Sequence, residues 1–167
     1  MTTAGQPLIR VGLGYDLHRL VAGRPLMIGG VRVDSPVGAV AHSDGDVVLH
    51  ALTDAMLGAA GLPDIGDLFP DTEERFHNAD SGQFVAEALR LLAERKLRPA
   101  QADVVILVER PRLGATKQSV RRRIAELLGL ELDRVGVKAK TQEGFGPVGQ
   151  GQAIACYAVV GLAEAVD

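Results

Sequence analysis

The sequence predicts an α+β fold, a mixed β-sheet with helices packed on one face. Two observations carry this. Apolar residues repeat with period two in some segments and with helical period in others. The two kinds of segment also follow one another without the regular strand–helix–strand rhythm of a doubly wound sheet. No repeat and no linker divides the chain, so its 167 residues are expected to form one domain, 1–167.

Residues 1–6 are small and polar and are expected to fray. Residues 8–15 read as a strand through Leu8, Ile9, Val11 and Leu13, with Gly12 and Gly14 leaving room for a close approach. Residues 25–33 read as a second strand broken at Gly29-Gly30 by a turn or bulge. Residues 43–61 form the clearest helix. Ser43 with Asp46 resembles a capping box, Val48, Leu52, Ala55 and Ala59 make an apolar stripe, and Gly61 ends it. Residues 62–79, rich in Pro, Gly and Asp, read as a long loop, a kind that is usually functional. A helix follows over 80–96, with Phe84, Ala88 and Leu91 or Leu92 inward. Residues 103–109 read as a buried strand, and 111–115 as a loop. Thr116 is placed to cap a helix ending at Gly129. Residues 135–141 and 153–160 are strands, joined by a glycine-rich loop over 144–151.

Composition narrows the function. Hydrophobic residues make up 47% and charged residues 23%, the balance of an ordinary soluble domain. The net charge of −3 and the lack of a large basic patch argue against a nucleic-acid partner. The short run Arg121-Arg122-Arg123 falls inside a helix and reads as a solvated or subunit-facing surface. The single cysteine, Cys156, lies in an apolar strand and reads as a small core residue in a reducing compartment. No stretch is apolar enough to span a membrane and no signal peptide is evident, so a cytoplasmic location is expected.

Four constellations carry chemistry. Asp16-Leu17-His18 on an extended segment directs both side chains to one face, and His50 on the first helix adds a second imidazole. Two imidazoles and a carboxylate form the set that leaves zinc an open position. Asp46, His50 and Asp54 share a helix face, so one of the aspartates could hold the second ring N–H of His50. His42 and Ser43 stand at a helix start, where donors face an anion; a plain cap is the equal alternative. Asp64, Ile65 and Gly66, with Phe69-Pro70-Asp71, suit sugar or polyol hydroxyls as well as they suit acidic turns. Lys138-Ala139-Lys140-Thr141-Gln142-Glu143 ends a strand, where cations and a hydroxyl can bind phosphate and Glu143 a hard Mg²⁺. No dinucleotide fingerprint, P-loop, triad or reactive cysteine accompanies them. The chemistry suggested is phosphoryl transfer or phosphate ester hydrolysis by positioning and charge neutralisation.

At this point the motifs resemble a known family. Gly14-Tyr15-Asp16-Leu17-His18, Ile28-Gly29-Gly30-Val31, Ala41-His42-Ser43-Asp44-Gly45-Asp46 with His50 to Ala55, and Asp64-Ile65-Gly66 with Leu68-Phe69-Pro70-Asp71-Thr72 are similar to the 2-C-methyl-D-erythritol 2,4-cyclodiphosphate synthases. The resemblance covers about residues 9–162. It implies a lyase of non-mevalonate isoprenoid biosynthesis that closes a cyclic diphosphate and expels CMP. It further implies zinc on Asp16, His18 and His50, and Mg²⁺ or Mn²⁺ at Glu143 bridging substrate phosphates. His42 and Ser43 then hold the 2-phosphate, with His42 and Thr141 closest to the chemistry. Asp64, Ile65, Gly66, Phe69 and Asp71 meet the erythritol end. Val108, Arg112, Leu113 and Gly114 meet cytidine, and Lys140, Thr141, Gln142 and Glu143 the diphosphate. The resemblance also implies a homotrimer around a β-lined axis, with sites shared between neighbours.

Departures from the family pattern are local. Gly146-Pro147-Val148-Gly149-Gln150 replaces a Gly-Phe-x-Gly-Arg run, which removes a positive charge from the position implied to face the axis. Arg112 stands where Lys is usual, and Leu113-Gly114 where Pro follows Leu or Met. Two alternatives fit the same residues: a zinc phosphoesterase using water, and a non-catalytic trimer that binds nucleotides or isoprenoid diphosphates.

Overall fold

The computed structural model describes residues 10–70, 73 and 79–165. Among the described residues, seven strands and five α-helices follow in the order β1 (Arg10–Ala22), β2 (Leu26–Ile28), β3 (Val31–Val33), β4 (Val37–Ala39), α1 (Val47–Ala59), α2 (Ile65–Leu68), α3 (Gly82–Glu94), β5 (Leu97–Leu107), α4 (Lys117–Leu128), β6 (Val135–Lys140), α5 (Gly146–Gly149) and β7 (Ala153–Glu164). Five strands form one sheet in the order β4-β1-β7-β5-β6, and β2 and β3 form a separate hairpin. All pairings in the main sheet are antiparallel except β5 with β6, which α4 connects. The α+β class is therefore observed.

Side-chain parity decides what each face of the sheet does. Along β1 the even positions face α1. A Cβ at Gly12 would stand 1.9 Å from the Ala55 carbonyl oxygen, and one at Gly14 1.9 Å from that of Ala51. Strand and helix backbones thus meet where only hydrogen fits. On β7 the same parity buries Ile154, Cys156, Ala158 and Val160. The opposite face carries Val11, Leu13, Tyr15, Leu17, Tyr157 and Val159, all exposed. Tyr15 and Tyr157 pair across the strands with ring centroids 4.7 Å apart.

Several expectations shift. The strand expected to end at Tyr15 continues to Ala22, so Asp16 and His18 lie inside β1. The broken strand over 25–33 is a hairpin whose two-residue turn, Gly29-Gly30, has φ of 60° and 74°. Helix α1 is capped by Asp46, not Ser43: the Asp46 carboxylate accepts from the N–H groups of Val48 and Leu49. It also accepts from Gly29 and Gly30, which ties the hairpin turn to the helix start. Burial pushes this carboxyl up, against the pull of the backbone N–H groups of Gly30, Leu49 and Gly29. The loop over 62–79 contains the short helix α2, capped by Asp64. The strand expected from 103 begins at Leu97, with an irregularity between Pro99 and Gln101 that lets proline sit in the sheet. Thr116 makes no side-chain cap on α4, although Gly129 ends that helix in the left-handed region as expected. The glycine-rich loop contains α5, and β7 runs four residues past its expected end. Cys156 is buried in β7, and burial raises its thiol pKa. The expected fraying of residues 1–6 and the position of Asp71 lie outside the described residues.

Candidate active site

Strand β1 and helix α1 together build a three-donor centre. His50 Nδ1 lies 2.9 Å from Asp16 Oδ2 and 3.0 Å from His18 Nε2, and the last two atoms are 3.0 Å apart. Two-residue spacing on β1 sends Asp16 and His18 to the helix side, and the close contact at Gly14 brings α1 near enough for His50 to complete the triangle. Ligands 2.0–2.1 Å from a tetrahedral ion stand about 3.3 Å apart, so this triangle needs to open by only a few tenths of an ångström to hold one. The side chains of His50 and His18 are 11% and 14% exposed, enough to leave one side open to solvent. Burial works against the charge on Asp16, but hydrogen bonds with His18 and His50 outweigh it and hold the carboxyl well below the usual range. The donor set fits a divalent ion.

The far side of the His50 ring corrects an expectation. Neither Asp46 nor Asp54 holds it. Asp46 is occupied by backbone N–H groups, and Asp54 accepts from Ile65 N–H at 2.8 Å. His50 Nε2 instead faces Ser81 Oγ at 2.9 Å and Ser43 Oγ at 3.1 Å. Sequence reasoning missed Ser81, because a lone serine before a helix looks like an ordinary cap.

A cavity of about 240 Å³ opens beside the triangle, lined by His18, His42, Ser43, His50, Ile65, Gly66 and Phe69, with Ala41 and Phe84 completing it. The segments expected to meet an anion (His42, Ser43) and a polyol (Ile65, Gly66, Phe69) thus converge on the donor centre. Asp64 is absent from this lining; its Oδ1 accepts from Asp67 N–H at 3.0 Å as the cap of α2. Phe84 was read only as a core residue, yet its ring lies 5.8 Å from that of His50.

A second cavity of about 230 Å³ gathers Val108, Arg112, Leu113, Gly114, Lys140 and Thr141 with Glu109, Pro111, Lys117 and Ala139. Val108 N–H donates to the Lys140 carbonyl, and Gln142 N–H to Glu109 Oε2. These bonds fasten the 108–114 loop to the end of β6. Gln142 and Glu143 lie exposed beside it. Glu143 adopts φ 51°, unusual for a residue with a side chain, and its carboxylate accepts from Thr141 Oγ1 at 3.0 Å. A larger groove of about 720 Å³ lies along β6; within its lining Lys138 pairs with Asp103, and Arg121 donates to the carbonyls of Val135 and Leu132.

The two cavities lie on opposite flanks of the sheet. Asp16 and His18 sit on β1 and Lys140 ends β6, with β7 and β5 between them. Three strand spacings separate the flanks, about 14 Å. The register places them level: Leu17 pairs with Ala155, Ala155 with Leu107, and Leu107 with Lys140.

Comparison with known proteins finds relatives over nearly the whole chain. A protein of Erwinia tasmaniensis named 2-C-methyl-D-erythritol 2,4-cyclodiphosphate synthase is 49% identical over 157 residues, spanning 94% of this chain and all of that one. The protein of the same name from Xanthomonas oryzae pv. oryzae is 52% identical over 151 residues, 90% of this chain and 93% of its own. A solved structure of such a synthase in a CDP-bound form superposes with a TM-score of 0.85 at 45% identity, covering 92% of this chain and 99% of that one. The YgbB family model matches residues 9–163, and the chain belongs to the YgbB family.

Proposed function

We propose that this protein converts 4-diphosphocytidyl-2-C-methyl-D-erythritol 2-phosphate to 2-C-methyl-D-erythritol 2,4-cyclodiphosphate and CMP, as the names of its relatives indicate. One observation carries the reading: the Asp16–His18–His50 triangle shares a cavity with His42, Ser43, Ile65 and Gly66. The donor triangle and the His42–Ser43 segment thus border one small, mainly apolar cavity, which supports the reading.

The reaction is an internal displacement. A 2-phosphate oxygen bonds to the β-phosphorus, the bond from that phosphorus to the bridging oxygen breaks, and CMP leaves with the electron pair. No protein nucleophile is required. His42 and Ser43 hold the 2-phosphate. Asp64, Ile65 and Gly66 hold the erythritol hydroxyls, with Phe69 beside them. Val108, Arg112, Leu113 and Gly114 hold the cytidine, much of it through backbone groups. Lys140, Thr141 and Gln142 orient the diphosphate. Asp16, His18 and His50 would hold zinc and Glu143 would hold Mg²⁺ or Mn²⁺, cations that neutralise charge gathering on the phosphates. Holding both reacting groups in a near-attack geometry can supply about 7–11 kcal/mol.

The reading includes a homotrimer, in which cytidine and diphosphate groups of one chain complete the donor centre of its neighbour. Two features support it: an uncovered apolar sheet face with Leu13 66% exposed, and half-sites on opposite flanks of one chain. We place the protein in the cytoplasm; no described helix is long and apolar enough to cross a membrane.

Phosphorus NMR of the purified protein with this substrate and both metals, against a chelated control, tests the proposal. Metal-dependent appearance of CMP and two coupled ring-diphosphate signals supports it. Inorganic phosphate or a linear diphosphate identifies a phosphoesterase instead, and binding without turnover a carrier.

A further inference from the structure

The geometry points to Ser81 and Asp44 as a positioning pair that fixes the tautomer and heading of His50, so that its Nδ1 lone pair faces the metal position. This rests on the reading of Asp16, His18 and His50 as a metal centre.

Ser81 occupies the position before α3 where serine ordinarily caps a helix, yet its side chain makes no capping bond. Asp80 Oδ1 serves Gly82 N–H instead, at 2.7 Å. Ser81 is fully buried, and its hydroxyl contacts Asp44 Oδ1 and His50 Nε2, the latter at 2.9 Å, with Ser43 Oγ farther off at 3.5 Å. Asp44 is itself fastened at the entry to α1. Its carboxylate accepts from the N–H groups of Ser81 and Asp46, each at 3.2 Å, and its own N–H donates to the Ala79 carbonyl.

The direction of the relay follows from the number of protons. An ionised carboxylate only accepts, and a hydroxyl has one hydrogen to give. Ser81 therefore donates to Asp44, and its oxygen accepts from His50. That requires Nε2–H on His50, with Ser43 Oγ at 3.1 Å as a second acceptor. In the opposite tautomer a bare Nε2 could accept from Ser43 or from Ser81. Either way Ser81 Oγ would face one acceptor, Nε2 or Asp44 Oδ1, with no hydrogen between them, which is unfavourable in a buried site. A neutral imidazole with Nε2–H carries its lone pair on Nδ1, so with a cation in the triangle that lone pair meets the metal. Without one, Nδ1 lies 2.9 Å from Asp16 Oδ2 and 3.0 Å from His18 Nε2, where an Nδ1–H donates to the carboxylate. Carboxylate-linked partners commonly orient metal-binding histidines this way; here a serine hydroxyl stands between carboxylate and ring.

Two measurements on the full-length protein test the pair. The first is the ¹⁵N–¹H ring spectrum of the Zn²⁺-loaded wild type about two pH units above the ordinary histidine pKa, with His50 assigned by comparison with His50→Asn. The expected signature is Nε2–H on His50. The second is Zn²⁺ affinity by competition with a chelating dye. Ser81→Ala and Asp44→Ala should each weaken binding about 10- to 100-fold. The double variant should be no weaker than the worse single one, because both act through one relay. An Nδ1–H signature in wild type overturns the proposal without any variant. So does a folded Ser81→Ala protein whose tautomer is unchanged and whose affinity stays within twofold. If Ser81→Ala does not fold, Asp44→Ala is judged by the same limits. Wild type that takes up no Zn²⁺ removes the metal centre itself, whereas normal uptake with unaffected variants removes only the positioning pair.

Discussion

Gly14→Ala should damage stability and metal affinity together, and the structure gives the scale of both. A Cβ at this position would stand 1.9 Å from the Ala51 carbonyl oxygen and 2.9 Å from the Ala55 nitrogen. Both obstacles are helix backbone, which cannot rotate away. Restoring a contact of 3.0 Å requires β1 and α1 to part by about 1.1 Å, overpacking of the kind that costs about 1–3 kcal/mol or more. For a chain of this length that corresponds to a fall in Tm of roughly 2–4 °C per kcal/mol. The same displacement acts on the site. Asp16 and His18 ride on β1 two and four residues beyond Gly14, while His50 rides on α1 beside Ala51. Ligand distances tolerate about ±0.2 Å, so a separation near 1 Å should strip the ion without touching a ligand. Gly58→Ala is the matched comparison: it lies on the same helix with open space around its Cβ, and should be neutral or stabilising by up to about 1 kcal/mol. Calorimetry and zinc competition on both variants read the result. A Gly14→Ala protein with wild-type Tm and wild-type zinc affinity refutes the close-contact argument.

Other consequences follow from single side chains. Asp16→Ala and His50→Ala should each lose bound zinc and turnover, checked by metal analysis of the purified protein and by CMP release. Asp46→Ala leaves the N–H groups of Gly29, Gly30, Val48 and Leu49 without their acceptor and should cost about 2–4 kcal/mol in urea unfolding, while Asp54→Ala should cost less. The lowered Asp16 pKa in the metal-free protein contributes stability that is full above the unfolded carboxylate value near 4 and declines as pH falls below it. The difference in unfolding free energy between wild type and Asp16→Asn should therefore narrow as pH falls from 6 to 3; a constant difference across that range would contradict the ion-pair origin. Leu13→Asp charges the uncovered sheet face and should yield a monomer by light scattering that still binds zinc but has lost turnover.

How far the sequence could be read depended on whether local pattern or distant packing decided each feature. The metal triangle was legible because Asp-x-His on a strand needs only period two, and the position of His50 follows from helix spacing. The Gly29-Gly30 break was legible because two positive φ values belong to a tight hairpin turn. The cap of α1 was not. Ser43, Asp44 and Asp46 are all acceptable caps, and the choice of Asp46 depends on hairpin N–H groups more than fifteen residues upstream. Strand β1 was read too short because its second half carries the polar groups of the site, which break the apolar alternation. Strand β5 was read too short at its start, where an irregularity between Pro99 and Gln101 lets a proline join the sheet. Ser81 was invisible, since its role depends on a fold that turns its hydroxyl from its own helix toward another.

The two faces of β1 link these observations. Even positions approach α1 and carry Asp16 and His18; odd positions carry Val11, Leu13, Tyr15 and Leu17 to the uncovered face. A chain acting alone would leave that apolar face in water and its two cavities about 14 Å apart on either side of β7 and β5. Burying the face against neighbours removes the first cost, and a rotational assembly brings the β6 flank of one chain toward the β1 flank of the next. On this reading the same strand binds the ion with one face and recruits the rest of the site with the other. Metal binding then belongs to the single chain and turnover to the assembly, and the separation of zinc affinity from activity in Leu13→Asp is what makes that division measurable.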